Sequence, residues 1–177
     1  MNLIVMGVAG AGKTTVGRQL AARLGGRWRF DDADDFHPPA NVAKMAGGTP
    51  LTDADRAPWL EALRAHLATC AARGDSVVLA CSALKEAYRR RLAVPGVATR
   101  FVYLRAAEAT IRARLERRRR HYLKAPLLRS QFATLEEPAP DEALVVDAAR
   151  PPAEAVEQIL AGLGVRRTAR AASPRAS

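Results

Sequence analysis

Aromatic side chains make up only 5% of the sequence. The core must therefore be built from Leu, Val, Ile and Ala. A surface of interleaved aromatics for stacking nucleic-acid bases is also excluded. Cysteine is almost absent, with Cys70 and Cys81 the only two. Two are too few for a disulfide scaffold, so the expected compartment is the cytoplasm. No stretch approaches the ~20 apolar residues of a bilayer span, so no membrane partner is expected. The apolar start, Leu3 to Met6, is interrupted by the glycines from Gly7 to Gly12. It lacks the basic flank and long apolar run of a signal peptide. Of the three histidines, His66 and His121 do not have the spacing of a metal-ligand pair, and no zinc is expected. No internal repeat is found.

The chain has 177 residues, of which 49% are hydrophobic, enough for one domain with a real core. The net charge is +10, but the excess is local. One cluster is Arg117 to Arg120. Another is Arg166, Arg167, Arg170 and Arg175, in a tail without acidic residues. There is no continuous basic stripe of the kind that follows a nucleic-acid backbone, so none is expected as partner. Residues 1–164 read as a single domain and 165–177 as a basic, disordered tail.

Short apolar runs alternate with helical periodicity. The runs Leu3 to Met6, Trp28 to Phe30, Ser76 to Cys81, Phe101 to Leu104 and Leu144 to Val146 predict five strands. Between them, Val16, Leu20 and Leu24 mark one helix face, and Leu60, Leu63, Leu67 and Cys70 another. Further helices are predicted over 41–46, 84–92 and 107–119, and around Val156, Ile159, Leu160 and Leu163. Thr52, followed by Asp53 and Asp55, reads as an N-cap. This alternation predicts an α/β fold with a parallel sheet covered on both faces.

Gly7-Val8-Ala9-Gly10-Ala11-Gly12-Lys13-Thr14 matches G-x-x-x-x-G-K-[ST], with a strand before it and a helix after it. Such a loop turns its N–H groups inward on phosphate oxygens, and the following helix adds its dipole. The nucleotide-binding set is Gly7, Ala9, Gly10, Ala11, Gly12, Lys13, Thr14 and Thr15. Lys13 supplies charge to the β- and γ-phosphates, and Thr14 a hydroxyl to Mg²⁺. A guanine-specifying N-K-x-D is absent, and the chain is short for a motor ATPase. A small kinase is the economical reading.

Asp32, Asp34 and Asp35 follow the second strand. In an open parallel sheet, ligands lie beyond the carboxyl ends of the strands, where the phosphate loop also sits. A kinase needs a carboxylate there to take the acceptor's proton and another near the metal.

The chain here resembles the gluconokinase family. The first block is Asp32-Ala33-Asp34-Asp35-Phe36-His37-Pro38 with Asn41, Lys44-Met45, Gly48, Pro50-Leu51, Asp53, Asp55-Arg56 and Pro58-Trp59-Leu60. The second is Cys81-Ser82-Ala83-Leu84-Lys85 with Tyr88-Arg89. The third is His121, Leu127-Leu128, Ser130-Gln131-Phe132 and Thr134-Leu135-Glu136. The likeness runs from about Met6 to the last helix. It implies a P-loop three-layer α/β/α fold, similar to shikimate and nucleoside monophosphate kinases. Its five-stranded parallel sheet would have order 2-3-1-4-5, with a mobile lid at about 117–130. It also implies ATP- and Mg²⁺-dependent phosphorylation of gluconate at the 6-hydroxyl. Asp34 would orient and deprotonate that hydroxyl, and Asp32 would help hold Mg²⁺. Arg56 and Lys85 would bind the sugar-acid carboxylate, and His37 its hydroxyls. Arg118 falls at the lid arginine, although it stands in an unbroken arginine run and Arg119 or Arg120 could share the task. Arg114 is open between an adenine contact and a surface residue, and Trp59 between core and pocket wall. Cys81 is expected to be buried and structural. Family members often pair, so a homodimer is an expectation. A shikimate or nucleotide kinase is the alternative, against which the His37 and Trp59 block speaks. An ATP-switched nucleic-acid binder is the distant one.

Overall fold

The computed structural model describes residues 1–117 and 125–165. Arg118 to Arg120, His121 and the basic tail from Arg166 lie outside the described residues.

β1 (Asn2–Met6) is buried along its whole length. Around it, β2 (Trp28–Asp32), β3 (Ser76–Ala80), β4 (Thr99–Arg105) and β5 (Ala143–Asp147) form one parallel sheet, in the order β2-β3-β1-β4-β5. This is the expected fold class. A strand buried on both faces needs apolar residues at successive positions, which β1 supplies. Leu3 and Val5 enter one core layer, while Ile4 and Met6 enter the other.

The first layer holds α1 (Lys13–Leu24) and α7 (Pro152–Gly162), through Val16 and Leu20 of α1 and Val156 and Ile159 of α7. Ile111 of α5 (Glu108–Arg117) and Leu128 of α6 (Ala125–Thr134) join it. The second layer holds α3 (Asp53–Ala72) and α4 (Glu86–Leu92), through Trp59, Leu60, Leu63, Leu67 and Leu92. The short α2 (Pro39–Ala46) precedes α3. Thr52 caps α3 in a capping box: its hydroxyl accepts from the Asp55 N–H, and Asp55 accepts from the Thr52 N–H.

Three differences from the sequence reading bear on the site. β2 runs two residues further, because Asp31 and Asp32 pair in register with Leu79 and Ala80 of β3. α4 begins at Glu86 rather than Leu84. Before it, Ala83 is held at φ 44°, the one positive φ outside glycine among the described residues. α6 has no counterpart among the predicted helices. Of the stretch expected as a lid, residues 125–130 belong to α6, and 118–124 lie outside the described residues.

Candidate functional site

The phosphate loop joins β1 to α1 at the carboxyl edge of the sheet. Gly7 has φ 138°, and a Cβ there would lie 2.8 Å from the Leu104 carbonyl oxygen of β4. Only glycine lets the chain turn so close to its neighbouring strand. Gly12 caps α1 at φ 99° with no side-chain cap, and the first turn of α1 carries no acidic residue. The leading N–H groups of α1 are thus left for an anion rather than for the protein's own carboxylates. The Lys13 ammonium curls back to donate to the Val8 carbonyl at 3.1 Å. Burial pushes its pKa down, opposed by the negative charge of Asp34 and Asp32.

β2 delivers its acids to this loop. Along a strand, alternate residues face opposite sides, and Asp32 falls on the α1 side with Phe30. Its Oδ2 accepts from the Thr14 hydroxyl at 2.8 Å, and its Oδ1 accepts from the Asp34 N–H at 3.2 Å. Asp32 thereby caps the 3-10 turn Ala33–Phe36, which carries Asp34 out to the exposed edge. A hydroxyl and a carboxylate converging beside a phosphate loop are the hard oxygen donors that suit Mg²⁺. The turn is anchored from below, where the Trp59 indole N–H donates to the Ala33 carbonyl at 2.7 Å. Trp59 is core, and His37 stacks on it at 4.4 Å between ring centroids. Burial lowers the His37 pKa, so a neutral ring with an unpaired buried Nδ1 borders the acidic corner.

Two cations stand at the starts of α3 and α4, joined through Asp53. Lys85 Nζ lies 2.7 and 2.9 Å from the two carboxylate oxygens of Asp53. Tyr88 also donates to Asp53. Arg56 donates to the Leu51 carbonyl at 2.6 Å and lies 3.9 Å from Asp53. The group Arg56, Lys85, Asp53 carries one net positive charge, and the carboxylate it holds here is its own.

On the opposite side of the phosphate loop is a cleft of about 310 Å³. Its walls include Gly10, Gly12 and Thr15 of the loop and α1, Arg114 of α5, and Arg150 and Pro152 after β5. Arg114 donates to the Ala149 carbonyl at 3.2 Å, which ties α5 to that last loop.

Residues 3–138 match the family model described as an AAA domain. A gluconokinase from Gluconobacter oxydans is 49% identical over 143 residues, covering 81% of this chain and 79% of that protein. The chain belongs to the gluconokinase family of small P-loop kinases. The crystal structure of a gluconokinase from Sinorhizobium meliloti superposes with a TM-score of 0.83 at 42% identity, covering 92% of this chain and 91% of that one. A sugar kinase from Janibacter superposes at 0.85 with 40% identity, over 93% and 94% of the two chains.

Of the residues expected from the phosphate-loop motif and from the gluconokinase resemblance, Lys13, Thr14, Asp32, Asp34 and His37 gather at one edge, with Arg56 near His37 and Lys85 joined to it through Asp53. Arg118 lies outside the described residues. Cys81 is buried, and desolvation pushes its thiol up to about 12, so it is no nucleophile at neutral pH. Sequence reasoning missed Arg150 and Pro152 in the cleft wall, because they stand between β5 and the first turn of α7, a stretch without a motif. It also assigned no role to Gln131. That side chain reaches from α6 into the phosphate loop, where its Oε1 accepts from the Ala9 N–H at 2.6 Å.

A phosphate oxygen arriving at the Ala9 N–H must displace this amide. Gln131→Ala is therefore expected to lower the KM for ATP, by less than about tenfold, the worth of one net hydrogen bond. The direction reports which state Gln131 favours: a lower KM means that it competes with the nucleotide. Steady-state kinetics at saturating acceptor would read this.

Proposed function

We propose that the chain transfers the γ-phosphoryl group of ATP to the 6-hydroxyl of D-gluconate, giving 6-phosphogluconate and ADP, with Mg²⁺ as cofactor. The observation that carries this reading is the convergence of Lys13, Thr14, Asp32 and Asp34 on one edge, with Arg56 near His37 and Lys85 joined to it through Asp53. The phosphate loop holds the phosphates, and the cleft beside Arg114 and Pro152 takes the adenine. Thr14 and Asp32 would hold Mg²⁺, which neutralises phosphate charge when bound. The acceptor carboxylate replaces Asp53 at Lys85 and Arg56, setting the far end of the sugar acid toward Asp34. His37 offers Nδ1 to a sugar hydroxyl.

Asp34 then accepts the hydroxyl proton while that oxygen bonds to the γ-phosphorus. The bond from the γ-phosphorus to the bridging oxygen breaks, and ADP leaves. Lys13 stays on the β- and γ-oxygens throughout, and Arg118 adds charge from the segment before α6. The same reading places the enzyme in the cytoplasm, consistent with two free, buried thiols.

The test is a coupled ADP-release assay with Mg-ATP against gluconate, shikimate, glycerate and nucleoside monophosphates. ADP release with gluconate alone supports the reading. Activity with another acceptor and none with gluconate would overturn the substrate and keep the kinase.

A further inference from the structure

Behind the acidic corner, on the other face of β2, lies a second constellation that phosphoryl transfer does not use. Asp31 points toward α3, since it alternates with Asp32 along the strand. There, His66 and Cys70 stand one helical turn apart on the same face of α3. His66 Nε2 lies 2.8 Å from Asp31 Oδ2 and 3.6 Å from Cys70 Sγ. All three ligand atoms fall within 4.8 Å of one another. Both neighbours address the same nitrogen, so the three atoms surround one point rather than forming a line.

We propose that Asp31, His66 and Cys70 form a binding site for a borderline-soft divalent metal ion, of which Zn²⁺ is the best match. Carboxylate, imidazole and thiolate are zinc's three ligand types. Zn–S and Zn–N bonds of ~2.3 and ~2.05 Å at a tetrahedral angle put S and N about 3.6 Å apart, the separation seen here. The Asp31 to His66 edge is shorter than a coordinated pair needs and opens by about half an ångström when the metal replaces their hydrogen bond.

The surroundings also suit a metal. The Arg29 guanidinium donates to Asp31 Oδ1 at 3.0 Å through Nη2, and to Oδ2 at 3.0 Å through Nε. With the metal on Oδ2, the Oδ1 bond remains and holds the carboxylate in place, as outer-shell partners do. The Phe36 ring packs on His66 at 4.8 Å between centroids and limits its rotation. Cys70 is buried, whereas His66 and Asp31 are partly open, so an ion can enter from the side of the imidazole and the carboxylate. Binding expels the thiol proton to solvent and moves the His66 proton to Nδ1. Asp31 and the thiolate supply two negative charges to match the ion's, and Arg29, still bonded to Asp31, leaves the cluster with one net positive charge. The bound ion clamps β2 to α3, the two elements that carry Asp32 and Arg56. This site stands or falls independently of the substrate assignment above.

The experiment titrates the full-length, metal-free protein with Zn²⁺ against a chelating dye, in excess Mg²⁺ to block the oxygen-rich phosphate site. One equivalent should bind, and His66→Ala and Cys70→Ser should each weaken binding by at least about tenfold. Co²⁺ in place of Zn²⁺ should give a thiolate charge-transfer band in the unmodified protein, absent in Cys70→Ser. Zn²⁺ should also raise the melting temperature of the unmodified protein and leave that of Cys70→Ser unchanged. No stoichiometric binding, or binding with no cobalt–thiolate band, overturns the proposal. The cobalt spectrum needs no variant, so a poorly folded mutant cannot rescue it.

Discussion

Asp34→Asn is expected to lower kcat by about 10²- to 10⁴-fold, the usual contribution of a positioned general base. Asparagine keeps the shape and can still accept a hydrogen bond from the acceptor hydroxyl. It cannot take the proton. The fall should therefore appear in kcat, with the KM for ATP little changed, because the Lys13 to Val8 and Thr14 to Asp32 hydrogen bonds do not use the Asp34 side chain. Folding should also be intact. The 3-10 turn is capped by the Asp32 side chain on the Asp34 backbone N–H, which the substitution leaves alone. Asp32→Asn is the contrasting variant. It alters the partner of Thr14 and the cap of the turn together, so it should change the Mg²⁺ concentration needed for half-maximal rate. Coupled ADP release, with thermal melting as a folding control, measures both. Near-normal turnover of a folded Asp34→Asn protein would remove Asp34 from the role of base.

The parts of this site that were legible in the sequence are those with a local physical signature. A phosphate loop is one continuous turn, so Gly7 to Thr14 announce it without tertiary information. The acidic corner needed only strand order, because residues after a parallel strand reach the same edge as the loop after β1. Thr52 with Asp55 was readable as a helix start for the same local reason. The unread parts are made by residues distant in sequence. Gln131 meets Ala9 across 122 residues, and nothing in either neighbourhood encodes the meeting. The Asp31, His66 and Cys70 cluster depends on β2 extending through Asp32. A strand read as ending at Phe30 leaves Asp31 in a solvated turn and His66 without a partner. α6 sets only Leu128 and Phe132, one turn apart, against the core, too short an apolar stripe to announce a helix.

Arg89 is the buried cation on which the second-largest effect should fall. Its side chain is 2% exposed and grips Glu142 with both Nε, at 2.6 Å, and Nη2, at 3.1 Å. Its remaining nitrogen donates to the carbonyls of Glu136, at 2.9 Å, and of Ala83 and Leu84, at 3.4 Å. One planar fork thus joins α4, the strained loop before it and the segment leading into β5. Arg89→Met keeps much of the apolar stem and deletes every one of these bonds. Breaking a buried pair costs about 3–5 kcal/mol. Glu142 keeps some contact with water, so the expected cost is about 3 kcal/mol, or a melting temperature lower by roughly 10 °C for a domain of this size. Arg89→Lys should recover little, because a single ammonium cannot span Glu142 and the three carbonyls together. The sign of the pH dependence follows from Glu142. The Arg89 bond holds its pKa below the usual carboxylate value. Its contribution is therefore complete above that range and is lost as pH falls through the lowered pKa. The gap in melting temperature between the unmodified protein and Arg89→Met should narrow in acid and be widest near neutrality. The loop held by Arg89 also sets Lys85 at the N-cap of α4. The folded fraction of Arg89→Met should consequently show a raised KM for gluconate with the KM for ATP unchanged. Equal melting temperatures at neutral pH would mean that water replaces the guanidinium at those carbonyls without cost.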